Sequence, residues 1–158
     1  MAAKTQTYED KAKQIIKDNN YMVLGTCSKN GKPWANPVLY VHDDDYCFYF
    51  LSAVDSKHVE NIFENQRIAV AIFDSKQKIG KSDGVEMEAK AVQVGRKDVE
   101  GVIAMYSKKI FPNSTLSPTE KYDPDSFVDP AEFRFFKVTP VHVYVTGPER
   151  RVEIDLKE

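Results

Sequence analysis

With 158 residues, 24 acidic against 22 basic side chains and a formal net charge of −2, the chain has the size of one domain. It carries no global field that would draw in nucleic acid or an anionic membrane. Hydrophobic (42%) and charged (29%) contents are ordinary for a soluble globular protein. No apolar run approaches the roughly 20 residues of a membrane span, and the opening MAAKTQTYEDK lacks a signal peptide's apolar segment. The expectation is a single cytoplasmic domain over residues 1–158.

In chain order, Thr7 can cap a helix over Tyr8–Asp18, with Asp10 as the acidic partner of a capping box and Tyr8, Ala12, Ile15 and Ile16 as a narrow apolar stripe. Tyr21–Cys27 reads as a strand, and Asn30-Gly31 is a hairpin signal. The returning strand, Trp34–His42, contains Pro37, which must lie at an edge or a bulge because it cannot donate to a ladder. Asp43–Asp45 reads as a solvated turn, with His42 as a surface histidine beside it. Cys27 and Cys47 lack partners at metal-ligand spacing and read as buried, inert thiols.

The next stretch, YCFYFLSAVDSKHVENIFENQRIAVAIF, divides into strand, turn, helix and strand. Tyr46–Leu51 is a short apolar and aromatic run. Asp55 suits an N-cap, with Val54 and Val59 placed as a hydrophobic staple, and Val59, Ile62 and Phe63 repeat at helical spacing. Ile68–Phe73 is a second strand. The first turn of this helix holds Lys57 and His58 beside Ser52 and Ser56, although the positive end of a helix favours acids. Two readings are open. One is a solvated surface turn; the other is a site where free N–H groups, cations and hydroxyls hold a phosphate.

Asp74–Asp83 is a polar loop with three lysines, and Gly84–Val94 alternates as a half-buried strand. A helix follows from about Lys97 to Ile110, facing the core with Val99, Val102, Ile103, Tyr106 and Ile110. Phe111–Pro130 is irregular and proline-rich, either a lid or a long surface crossing. Phe133–Val138, Val141–Thr146 and Arg151–Leu156 complete the strands. A count of seven or eight short strands, mostly joined by hairpins, points to a barrel or a sandwich. Glycine-rich nucleotide loops, nucleophile elbows and zinc-protease motifs are absent from the sequence.

Four segments, YMVLGTCSKNGKPWANPVLYV, FYFLSAVDSKHVENIFENQRIAVAIF, GVEMEAKAVQV and FRFFKVTPVHVYVTG, in this order and spacing resemble the pyridoxamine 5′-phosphate oxidase-like family of FMN-binding split barrels. The resemblance runs from about Tyr8 to Thr146 and moves the phosphate reading of Lys57 to the front. It implies a mainly β fold, a six-stranded antiparallel split barrel with a Greek-key element and short flanking helices, paired as a homodimer with FMN between subunits. It further implies that Lys57 and His58 hold the FMN phosphate, where the family commonly has Arg-Lys, with Ser52 and Ser56 as small hydroxyl positions. Asn36, Pro37, Val38 and Leu39 match the segment along the flavin ring, and Gly84 and Glu86 a segment that supplies another polar contact.

Departures limit what the resemblance implies. Asn36 stands where the true oxidase has arginine, His58 replaces a lysine, and VTGPERRVEIDLKE lacks the Trp- and Arg-rich ending that grips pyridoxal phosphate. Vitamin B6 oxidation is therefore not expected. The expected function is an FMN-dependent oxidoreductase acting on a small molecule, with no residue assigned as acid or base; Tyr106, Tyr122 and Phe127 are candidates to cover the ring. A deazaflavin is a variant of that expectation. Alternatives are a haem-binding split barrel with His142 or His58 as axial ligand, and a non-enzymatic flavin- or ligand-binding module. His142 otherwise reads as an interface histidine.

Overall fold

The computed structural model describes residues 6–110, 123–147 and 150–157. The chain orders as α1 (Tyr8–Asp18), β1 (Tyr21–Cys27), β2 (Pro33–Leu39), β3 (Val41–His42), β4 (Phe48–Ala53), α2 (Lys57–Glu64), β5 (Arg67–Ile72), β6 (Gly84–Gln93), α3 (Val99–Ile110), a 3-10 turn at Pro124–Phe127, β7 (Phe133–Thr146) and β8 (Arg151–Ile154). The strands form one antiparallel sheet, in the order β2-β1-β5-β6-β7-β4-β3, with β8 added to β7. β1, β2, β4, β5, β6 and β7 are the long staves of a curled half-barrel, while β3 and β8 are only two and four residues long. β2 lies at a free end of the sheet, as Pro37 requires.

Alternation builds the core. Met22, Leu24 and Thr26 of β1 turn inward, as do Val85, Met87, Ala89 and Ala91 of β6, and meet Phe48, Phe50, Phe136 and Val138 from β4 and β7. The other side of β4 and β7 carries Tyr49 and Phe135, which pack under Val99 and Val102 of α3 in a second cluster. Helix α1 starts on Thr7, whose Oγ1 accepts the Asp10 N–H at 3.0 Å, and buries Ala12 and Ile16. Its last turn is tied down by Tyr40, fully buried, whose hydroxyl donates to the Ile16 carbonyl at 2.6 Å.

Several expectations are corrected. The Trp34–His42 strand breaks at Tyr40, which turns inward to reach α1. Phe133–Val138 and Val141–Thr146 are one continuous strand; Pro140 is accommodated because the β6 register shifts between Glu88 and Ala89, so that Ala89 faces Pro140 and Glu88 faces His142. The turn at Asp43 is not merely solvated: its carboxylate accepts the Asp45 and Cys47 N–H groups at 3.1 and 2.9 Å and the Tyr49 hydroxyl at 2.9 Å. His42 is not a free surface ring but stacks on Tyr46, centroids 5.1 Å apart. Both thiols are half-buried rather than fully enclosed. Phe63, expected in the core, is 55% exposed, with its ring 5.9 Å from that of the buried Phe136. Pro112, Pro118 and Tyr122 of the irregular stretch lie outside the described residues.

Candidate functional site

Helix α2 begins one residue later than expected. Ser56, not Asp55, is the N-cap (φ −73°, ψ 146°), and it makes no side-chain cap. Its hydroxyl donates backward to the Ala53 carbonyl at 2.7 Å instead. The helix therefore opens with N–H groups that no side chain caps, at the positive end of its dipole. Val59 and Ile62 anchor the opposite face in the barrel core and fix where this end points.

Around that end the structure brings together four of the expected residues. Ser52, at the end of β4, has its Oγ 3.1 Å from Ser56 Oγ and 2.8 Å from His58 Nε2; Ser56 Oγ is 3.4 Å from the same nitrogen. His58 is only 5% exposed, with its ring 6.0 Å from that of Phe50. Burial holds its pKa below the ordinary imidazole value, so near neutral pH it is uncharged. Lys57 points the other way, 44% exposed, with its ammonium 3.4 Å from Glu60 Oε2. The cluster thus joins a buried neutral imidazole to two hydroxyls, with Lys57 an exposed cation beside it, paired with Glu60.

Register supplies a cation that local sequence did not reveal. Arg134 of β7 lies directly opposite Ser52 and is 14% exposed. Its guanidinium is held by Asp129 (2.8 Å), Gln93 Oε1 (3.1 Å) and the Ala131 carbonyl (2.8 Å). Nothing in the stretch FRFF marks this arginine; only the pairing of β4 with β7 does.

β2, which carries Asn36, Pro37, Val38 and Leu39, is packed against α2 and touches β4. The Asn36 amide donates to the neighbouring Pro37 carbonyl at 3.0 Å, Val38 is buried, and among the described residues the outer edge of β2 has no partner strand. Gly84 and Glu86 are not brought to this cluster within one chain. Glu86 stands on the outer sheet face, in a transverse row with Ala71, Val23 and Pro37, across from Tyr144 and 3.4 Å from Arg151. Gly84 packs where a Cβ would lie 3.1 Å from Thr146 Oγ1. His142, on the same outer face, pairs with Glu153 at 2.7 Å.

That outer face has an open groove floored by Gly25, Ala35 and Ala69 and walled by Trp34 and Val141, which are 46% and 53% exposed. Among the described residues no group of three or more histidine, cysteine or acidic side chains could hold a metal ion, and no helix is long and apolar enough to cross a membrane.

The sequence pattern described as pyridoxamine 5′-phosphate oxidase matches residues 8–147. The chain belongs to the pyridoxamine 5′-phosphate oxidase family. A curated family relative, the pyridoxine/pyridoxamine 5′-phosphate oxidase of Ehrlichia ruminantium (strain Welgevonden), is 34% identical over 101 residues, 64% of this chain and 50% of that protein. The chain thus spans about half the length of the curated relative it matches. A haem-binding protein from Mycobacterium smegmatis superposes with TM-score 0.75 at 16% identity, over 98% of this chain and 60% of that one. A Clostridium acetobutylicum protein of the pyridoxinephosphate oxidase family, related to a general stress protein, gives TM-score 0.67 at 14% identity and covers 97% of both chains. These likenesses bear on the fold: the curled half-barrel with three short helices is the family's split barrel.

Proposed function

We propose that the chain is an FMN-binding flavoprotein that works as a homodimer and carries out oxidation or reduction of a small molecule. The observation that carries this reading is the uncapped start of α2, because an N-terminus without a side-chain cap, flanked by two hydroxyls and a lysine, suits a phosphate dianion. The fit is specific to the phosphate end. Lys57, Ser52 and the first N–H groups of α2 would hold it, with Ser56, whose proton goes to the Ala53 carbonyl, positioning Ser52, while the edge of β2 from Asn36 to Leu39 would run along the ring. When bound, FMN supplies the redox chemistry; the protein supplies position, electrostatics and access. Ser52 and Ser56 orient hydroxyl protons, Lys57 adds a charge at the surface, and the apolar barrel wall behind Phe50 keeps water from the buried side.

Two features favour a homodimer. Glu86 and Gly84 lie on or beside the outer face, away from the α2 cluster, so a site using both sets needs a second copy. The groove beside Trp34 and Val141 combines small residues, Gly25, Ala35 and Ala69, with the charged Arg67, Glu88 and Lys90, a surface that a second sheet can approach closely over the small residues. A deazaflavin shares the ring plane and differs in its redox atoms, so titration of both cofactors separates the two. The haem alternative has weaker support: His58 Nε2 is held by Ser52, and His142 stands between Glu88 and Glu153, carboxylates rather than apolar surface. Titration of the purified protein with FMN, followed by flavin fluorescence and absorption, tests the reading; saturable binding at micromolar concentration supports it.

A further inference from the structure

His58 controls where the Ser52 proton points. The Ser56 hydroxyl proton is committed to the Ala53 carbonyl at 2.7 Å, which leaves its oxygen free to accept from Ser52 at 3.1 Å. With His58 neutral and its proton on Nδ1, Ser52 donates to Nε2 across 2.8 Å and turns lone pairs outward. With a proton on Nε2, His58 donates to Ser52 and frees the serine proton. An anion at the start of α2 repels the first arrangement and is held by the second, and its charge favours the doubly protonated ring.

We infer that His58 takes up a proton when a phosphate-bearing flavin binds, turning the Ser52 hydroxyl toward the phosphate, so that binding is linked to pH through a positioning residue. The inference rests on the flavoprotein reading above. The groups that face His58 are consistent with a neutral free state. β4 presents only Phe50 and Ser52, and β2, from Pro33 to Leu39, has no charged residue. β7 presents Arg134 opposite Ser52, its charge already paired with Asp129 at 2.8 Å. On its own side Lys57 is paired with Glu60, and Asp55 is exposed. Burial is what holds the free ring neutral.

Calorimetric titration of FMN into the full chain, in buffers of different ionisation enthalpy near about pH 7.5, counts the protons exchanged; FMN's own phosphate is then largely dianionic. The expected result is uptake of about 0.3–1 proton per FMN by the natural protein, with FMN affinity falling about two- to tenfold per pH unit above neutrality. Riboflavin, without a phosphate, should show no such uptake, and neither should His58→Gln with FMN. Imidazole NMR titration of the natural protein, with and without FMN, provides a second measurement if that variant does not fold: one of the three histidines should rise in pKa on binding. Equal proton uptake in His58→Gln, or an FMN affinity flat with pH in the natural protein, overturns the inference while leaving FMN binding intact. Failure of the natural protein to bind FMN overturns both.

Discussion

Replacing Lys57 with alanine removes a surface cation at the start of α2 while leaving the barrel untouched. The side chain is 44% exposed and shares its charge with Glu60 at 3.4 Å, so a contact to a phosphate is partly screened. A charge-assisted hydrogen bond of about 1.5–3 kcal/mol is therefore discounted to about 1–2 kcal/mol. FMN affinity should fall by about 5- to 30-fold, and riboflavin affinity much less. Without ligand, two small effects oppose each other. Loss of a cation at the positive end of a helix stabilises, and loss of the Glu60 pair destabilises, so unfolding free energy should move by less than about 0.5 kcal/mol. Calorimetry of both flavins against both proteins, with urea unfolding as the control, reads all three quantities. Unchanged FMN affinity, or an equal loss for riboflavin, would refute the assignment of Lys57 to the phosphate.

Three other outcomes follow from the geometry. Ala69→Arg places a bulky cation beside Glu88, its cross-strand neighbour, in a groove that Arg67 and Lys90 also line, so the isolated subunit should stay folded while the outer face loses the room a second copy would need; sedimentation should show weakened self-association, with FMN binding lost in parallel. Tyr40→Phe removes the donor to the Ile16 carbonyl at 2.6 Å in a fully buried setting and should cost about 1–3 kcal/mol in urea unfolding. Asp83 feels burial, which raises its pKa, but Lys11 and Lys81 outweigh it and hold the carboxyl below its ordinary value. A depressed folded-state pKa gives stability that is present above the unfolded value, near 3.8, and is lost as pH falls through the folded one; Asp83→Asn should flatten that acid-side loss in a series of urea melts.

What the sequence disclosed depended on how local each decision was. β1 was legible to the residue because Met22, Leu24 and Thr26 alternate with outward positions. Pro37 restricts β2 to an edge or a bulge, and the sheet order puts it at the edge. The start of α2 was misplaced by one residue because the Ser56 hydroxyl turns back to Ala53, a choice set by the β4 turn rather than by cap preference. Phe63 fits a helical stripe by spacing, but an eight-residue helix lying on a curved sheet buries a narrower face than the stripe allows. The grouping of Ser52, Ser56 and His58 was visible as a cluster, whereas the burial of His58 depends on Phe50 and on the depth of the barrel. Arg134 is set opposite Ser52 only by the β4–β7 register, which sequence spacing cannot encode.

The most direct measurement of the central claim is an equilibrium titration of FMN against the purified chain, read by flavin fluorescence and by the mass of the complex in solution. The account predicts saturable binding of one FMN per subunit in a dimer, with micromolar or tighter affinity, and markedly weaker binding of riboflavin. An absence of saturation at concentrations well above micromolar, or equal affinity for FMN and riboflavin, would contradict a phosphate site at the start of α2.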